Sequence, residues 1–317
     1  MNGHAFRLIA ATYTPFNHDL SVDYSAIPAY AAELVKDGIR EIFVNGTTGE
    51  SLSLTVDERM QAVEAWKNSG SDLELIVHVG HNCLEECQRM AKHAEQNGVG
   101  AISAMSTTFI RPRKLDDLIE YVAQIALAAP ETKFYYYHIP SMSGVPVDMD
   151  AFIARACEEI PNFAGVKYTH EDLGEFAACL AKWKDTIDLM FGRDELLLPA
   201  TAHGAQMAVG SFYGLVPEVF RNIIQAVWSG DLDLARAWSL YSNKLIDACI
   251  KVGVPAAGKY MLAQKGIGTG KLRLPLRELD ATQKLWLQEQ FDALTPPSNI
   301  SADSNSSSAS MGLAGGS

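Results

Sequence analysis

Positive charge is scarce in this chain: 26 lysines and arginines face 38 aspartates and glutamates in 317 residues, for a formal net charge of −12. The cations are scattered rather than gathered into a stripe, so the footprint needed to bind nucleic acid or an acidic lipid surface is missing. Long apolar runs are missing as well. None approaches the roughly 18 continuous apolar residues of a membrane span, and no basic segment followed by an apolar one opens the chain. Cysteine is sparse and odd in number, at Cys83, Cys87, Cys157, Cys179 and Cys249. That count argues against a disulfide framework and for reduced thiols in a cytoplasmic setting. Cys83 and Cys87 lie one helical turn apart, but no second thiol or histidine pair completes a zinc pattern, and both are expected to face a core.

What remains is an ordinary globular balance, 48% hydrophobic and 20% charged residues, with enough apolar surface to bury a large core. Short apolar runs at 6–13, 41–44, 73–79, 101–105, 133–138, 163–168, 188–191 and 206–210 alternate with helical patterns. The first helix carries Ile27, Tyr30, Ala31, Leu34 and Val35 on one face and stops at Asp37-Gly38. The next opens with the capping box Thr55 to Glu58, and the third with Asn82 to Glu85, ending at Asn97-Gly98. A later one presents Leu173, Phe176, Ala177 and Leu180 behind Asp172 as cap. Strand and helix recur every 20 to 35 residues or so, the length of one βα unit, and eight such units predict a closed (β/α)8 TIM barrel of the α/β class. A doubly wound open sheet would want a glycine-rich fingerprint after the first strand, and residues 10–16 offer none. The barrel is expected over residues 1–230, with a helical extension over 231–295. Residues 296–317, rich in serine and glycine, are expected to form a disordered tail. Asn299 and Asn305 there match a glycosylation pattern that has no meaning without secretion.

A barrel enzyme works at the C-terminal ends of its strands, so polar residues there carry the most weight. Gly165, Lys167 and Thr169 share one face of the sixth strand by alternation. An inward Lys167 would be desolvated and so supplied as the neutral amine that attacks a ketone, whereas an outward one would snorkel or pair with an acid. Tyr137 sits at the top of the fifth strand, as a proton-transfer group or as an aromatic core residue. Asn45, Gly46, Thr47, Thr48, Gly49 and Glu50 form a turn whose N–H groups and hydroxyls suit an anion, or else cap their own backbone. It lacks the Gly-Lys-Ser/Thr ending of a nucleotide loop. Gly192, Asp194 and Glu195 after the seventh strand and Ser211 after the eighth could accept from sugar hydroxyls, or the acids could complement a helix dipole. His78 and His81 have no third ligand at metal spacing and are expected to be satisfied structural histidines.

Taken together, Gly46 to Glu50, Tyr137-His138-Ile139-Pro140 and Gly165-Val166-Lys167 resemble the dihydrodipicolinate synthase and N-acetylneuraminate lyase superfamily in order and spacing over residues 5 to about 295. The resemblance implies a class I aldolase in which Lys167 forms the Schiff base with pyruvate, Tyr137 shuttles protons, and Thr47 with Thr48 holds the substrate carboxylate. The synthase branch has an arginine two residues after the Tyr-x-x-Pro proline, where this chain has Met142. The lyase branch has Thr169, Gly192, Asp194, Glu195 and the Gly210-Ser211 pair, all present here. The implied reaction is reversible cleavage of sialic acid to N-acetylmannosamine and pyruvate, by a homotetramer, with no metal or organic cofactor. Alternatives within reach are an aldolase for a shorter keto-deoxy sugar acid, a synthase-like enzyme, a silent sialic-acid-binding barrel, and a metal enzyme using His78 and His81. One departure stands out. Where family members place aromatics after the fourth strand, including a tyrosine lent to a neighbouring subunit, this chain reads Thr107, Thr108, Phe109, Ile110, Arg111 and Pro112.

Overall fold

In the computed structural model, which describes residues 5–297, the eight apolar runs become eight parallel strands that pair in chain order and close on themselves. The strands are β1 (Arg7–Ala11), β2 (Glu41–Val44), β3 (Glu74–His78), β4 (Ala101–Ala104), β5 (Lys133–His138), β6 (Phe163–Tyr168), β7 (Asp188–Phe191) and β8 (Met207–Gly210). The connecting helices are α1 (Ile27–Lys36), α2 (Val56–Lys67), α3 (Leu84–Gln96), α4 (Leu115–Ala126), the short α5 (Pro140–Ser143), α6 (Met149–Glu159), α7 (Leu173–Trp183), α8 (Leu197–Ala202) and α9 (Pro217–Ser229). The expected tail at 296–317 falls, apart from its first two residues, outside the described residues, as do its two asparagines. No helix among the described residues is long and apolar enough to cross a membrane.

Two periodicities build two cores. Alternate strand residues turned outward, such as Ala10, Ile42, Val77 and Tyr136, meet the apolar stripes of the surrounding helices. Those turned inward, Ile9, Phe43, Ile76, Tyr135 and Met190 among them, fill the barrel. Its N-terminal end is closed by a polar network: Arg7 donates to Glu41 at 2.7 Å and to Asp188 at 3.0 Å, and the Tyr135 hydroxyl donates to Asp188 at 2.7 Å. The C-terminal end stays open. At Gly165 the backbone takes φ +150°, and a Cβ would collide with the Asp188 carbonyl, so only glycine lets β6 lie this close to β7.

Local signals for helix starts hold at Thr55, which forms the full capping box with Glu58, and at Asp172, which accepts from the Glu175 N–H. Asn82 is a correction. Helix α3 begins at Leu84 with Cys83 at the cap position and no side-chain cap. The Asn82 side-chain oxygen instead accepts from the Thr108 N–H at 3.0 Å and hydroxyl at 3.2 Å, tying the β3 loop to the β4 loop. A tertiary bond has displaced the local one. Cys83 is a second correction: lying ahead of the helix, it escapes the helical phase that buries Cys87 and is exposed beside Glu85.

Beyond the barrel come α10 (Leu232–Val252), α11 (Val254–Gln264) and α12 (Ala281–Asp292). Helix α10 packs along α9 and touches α8, α11 and α12. This path carries the C-terminal end of α10 and the start of α11 over the open mouth of the barrel.

Candidate active site

The mouth holds a cavity of about 300 Å³, within the size range of small-molecule sites. Lys167 rises into it from β6, only 4% exposed. Parallel register sets it beside Tyr137 of β5 and Met190 of β7. Its Nζ lies 3.9 Å from the centre of the Phe43 ring and 4.0 Å from that of Tyr137. Burial pushes its pKa down from the ordinary lysine value, against the opposing pull of Tyr137 and Asp194. The inward orientation is therefore the observed one, and the amine is biased toward its nucleophilic form.

The Tyr137 hydroxyl lies 3.3 Å from the Thr47 hydroxyl, and that of Thr48 lies 2.6 Å from the Ser211 hydroxyl. The turn bearing both threonines is held from behind. Thr14 donates to the Gly49 carbonyl at 2.7 Å, and the Asn45 amide donates to the Arg59 carbonyl at 2.9 Å. Gly49 and Glu50 spend their N–H groups inside the turn, on Gly46 and Thr47, while those of Thr47 and Thr48 make no hydrogen bond to protein among the described residues. A carboxylate arriving there meets free donors.

Opposite lie the sugar-reader candidates. Thr169 has a buried hydroxyl without a partner. Gly192 is small because a Cβ there would strike that hydroxyl, and Gly210 because a Cβ would strike the Asp194 carboxylate. Asp194 is buried and accepts the Phe212 N–H at 2.9 Å. Desolvation, the largest cause, pushes its carboxyl up to about 7. With Glu195, Asp194 also stands in the first turn of a short 3-10 helix after β7, so both the loop bond and the place at a helix start are observed. Glu195 is paired with Arg193 at 2.8 Å. Lys167, Tyr137, Thr47, Thr48, Thr169, Gly192, Asp194, Glu195 and Ser211 thus all line one cavity.

Glu50, His78 and His81, also singled out from the sequence, stand outside the cavity lining. Glu50 turns away from the cavity, into the seam with α11. His78 is buried under Tyr137, edge-on to its ring at 5.6 Å, and its Nδ1 has no partner, contrary to the satisfied histidine expected. Burial, with Arg59 and Lys167 adding to it, holds that imidazole well below its usual pKa. His81 instead accepts from the Cys83 N–H at 3.0 Å, so the two histidines do not form a pair. Sequence reasoning missed the apolar wall of the cavity, Ile246 and Ile250 of α10 and Val254 and Pro255 of α11. The sequence carries no signal for it: the exposure of Ile250 belongs to the structure, and a helical pattern alone cannot direct that side chain to a barrel mouth.

A dihydrodipicolinate synthetase family model matches residues 4–294. The N-acetylneuraminate lyase of Homo sapiens is 37% identical over 277 residues, covering 86% of this chain and 87% of that protein. Among solved structures, Proteus mirabilis N-acetylneuraminate lyase superposes with a TM-score of 0.88 at 35% identity, over 93% of this chain and 100% of that one. The N-acetylneuraminate lyase, or sialic acid aldolase, of Aliivibrio salmonicida gives a TM-score of 0.88 at 38% identity, over 93% and 98%.

Proposed function

This chain belongs to the dihydrodipicolinate synthetase family, and we propose that its activity is the reversible, lysine-dependent cleavage of N-acetylneuraminate to N-acetylmannosamine and pyruvate. The observation that carries this reading is a buried Lys167 facing Tyr137 in a cavity walled on one side by hydroxyls and carboxyls. Met142 supports the choice of branch. An arginine gripping a second carboxylate would stand there in a synthase, and a thioether cannot replace it.

The open-chain keto acid lays its carboxylate on the free N–H groups of the Thr47–Thr48 turn, while the Lys167 amine adds to the ketone and water leaves. The iminium so formed draws electrons from the bond between carbons three and four. Tyr137, left as phenolate after supplying the proton that turned the imine into the iminium, takes the proton of the carbon-four hydroxyl, that bond breaks, and N-acetylmannosamine departs as the aldehyde. Carbon three of the remaining enamine is then protonated, and water hydrolyses the iminium to pyruvate and free lysine. Thr169, Gly192, Asp194, Glu195 and Ser211 orient the sugar hydroxyls. A homotetramer belongs to the same reading: Phe109 and Ile110, 89% and 81% exposed on the loop after β4, are apolar surface that an assembly would cover.

Borohydride reduction in the presence of pyruvate, followed by peptide mapping, tests the chemistry. One stable adduct on Lys167 is expected. An adduct elsewhere, or a Lys167→Ala protein that splits sialic acid at the parental rate, would refute it. Cleavage rates on N-acetylneuraminate and on a six-carbon keto-deoxy acid, measured side by side, test the substrate.

A further inference from the structure

Outside the cavity, one buried charge pair has no part in the chemistry above. Glu50 and Lys259 are in contact through Oε1 and Nζ, with side chains only 1% and 4% exposed. Glu50 ends the carboxylate-holding turn in a left-handed conformation, φ +55°, with its N–H on the Thr47 carbonyl at 3.0 Å. Its other oxygen accepts the Arg273 N–H at 3.2 Å. Lys259 stands on α11, four residues after Pro255 and thus on the same helix face. Its ammonium also donates to the Lys271 carbonyl at 2.9 Å and lies 3.7 Å from the centre of the Phe16 ring.

We infer that the Glu50–Lys259 pair is a positioning device of the active site, setting the Thr47–Thr48 turn at a fixed place against the α11 wall of the same cavity. The inference rests on the catalytic reading above. Neither residue lines the cavity, so the pair acts through the backbone on each side of it. Stability alone does not account for it, because two desolvated charges contribute about as much as a well-packed apolar pair of the same volume. What apolar packing cannot supply is direction. The ammonium touches a carboxylate, donates to a carbonyl and faces a ring, and the carboxylate's second oxygen is held by a backbone N–H, so the turn cannot slide along α11 without leaving a buried charge bare.

The test uses the full chain, parent and variants: Glu50→Gln, Lys259→Met and the double Glu50→Gln/Lys259→Met. Three quantities are read: Tm, KM and kcat for cleavage of N-acetylneuraminate, and the pyruvate concentration giving half-maximal borohydride labelling. Each single change should lower Tm, and the double, which leaves no bare charge, should regain most of it. KM and the half-labelling concentration should nonetheless rise about tenfold or more in the double, with kcat changed much less, since small displacements of a binding group are costly. A double variant with parental KM and half-labelling concentration would overturn the inference. So would kcat falling in proportion to folded fraction with KM unchanged. Glu50→Gln, nearly isosteric, carries the same KM comparison should the lysine variants fail to fold. An unlabelled Lys167 in the parent overturns the catalytic reading and this inference with it, whereas a labelled parent beside parental variants overturns the inference alone.

Discussion

Asp194 offers the sharpest check on the electrostatics of the site, through the substitution Asp194→Asn. Buried among Gly210, Phe212 and Glu195, the folded carboxyl keeps its proton to about pH 7, while the unfolded one releases it near 3.8. Folding therefore takes up a proton between these values, and the parent loses stability as pH rises from about 4 to about 7, then stays at the lower level. Roughly three decades of pH at ~1.4 kcal/mol each make the ionised carboxylate a burden of up to about 4 kcal/mol above pH 7. Asparagine has nearly the same shape, can still accept the Phe212 N–H, and carries no charge. The variant should match the parent near pH 4 and exceed it by up to about 4 kcal/mol at pH 8. Urea unfolding of both proteins at several pH values, at one protein concentration, reads the difference directly. A constant gap from pH 5 to pH 8, or a variant weaker at pH 8, would show the reasoning to be wrong. The gain should come with a higher KM for the sugar acid, since the charge is retained for binding at the expense of the fold.

Other expectations follow from the same geometry. Tyr137→Phe should lower kcat by about 10² to 10⁴ while borohydride still labels Lys167, because the ring that packs on the lysine remains and only the proton carrier is lost; steady-state rates beside peptide mapping decide it. Phe43→Ala removes a ring lying 3.9 Å from the lysine Nζ and should cost about 3 to 5 kcal/mol of stability. Water admitted there should raise the Lys167 pKa back toward its ordinary value, moving the alkaline-going rise of kcat/KM to higher pH. Gly192→Ala forces a methyl onto Thr169 and should raise KM for the sugar acid while leaving pyruvate trapping near parental. Light scattering on the purified chain should report a tetramer, and charged replacements at Phe109 and Ile110 should shift it toward smaller species.

Much of the fold is written in local pattern. Four strands, Glu41–Val44, Lys133–His138, Phe163–Tyr168 and Asp188–Phe191, coincide with their apolar runs, because alternation and turn residues are properties of neighbours in sequence. Thr55 and Asp172 cap helices for the same reason. Asn82 fails because its preferred partner, Thr108, comes from another loop, and no spacing rule sees that bond. The candidate site divides in the same way. Tyr137, Lys167 and Thr169 stand at strand ends, where alternation puts them on the inner face of a barrel, whereas Thr47, Thr48, Asp194, Glu195 and Ser211 lie in the turns beyond, whose course brings adjacent residues to one cavity. Its apolar wall comes from α10 and α11, whose docking depends on the packing of α9 and α10 and on no motif.

The residue order alone determines that eight strand-and-helix units follow one another, and which side chains stand at the strand tips, since both are set by periods of two and of 3.6 along the chain. Only the closed barrel decides what those side chains become. Burial in the barrel is what biases the Lys167 amine toward neutrality, and desolvation beside Gly210 is what lifts the Asp194 carboxyl to about 7. The contact of Glu50, on a turn, with Lys259, on a helix most of the sequence away, exists only once α11 has crossed the mouth. Charge states and long-range pairings answer to the local dielectric and to which surfaces meet, and neither is a property of sequence neighbours.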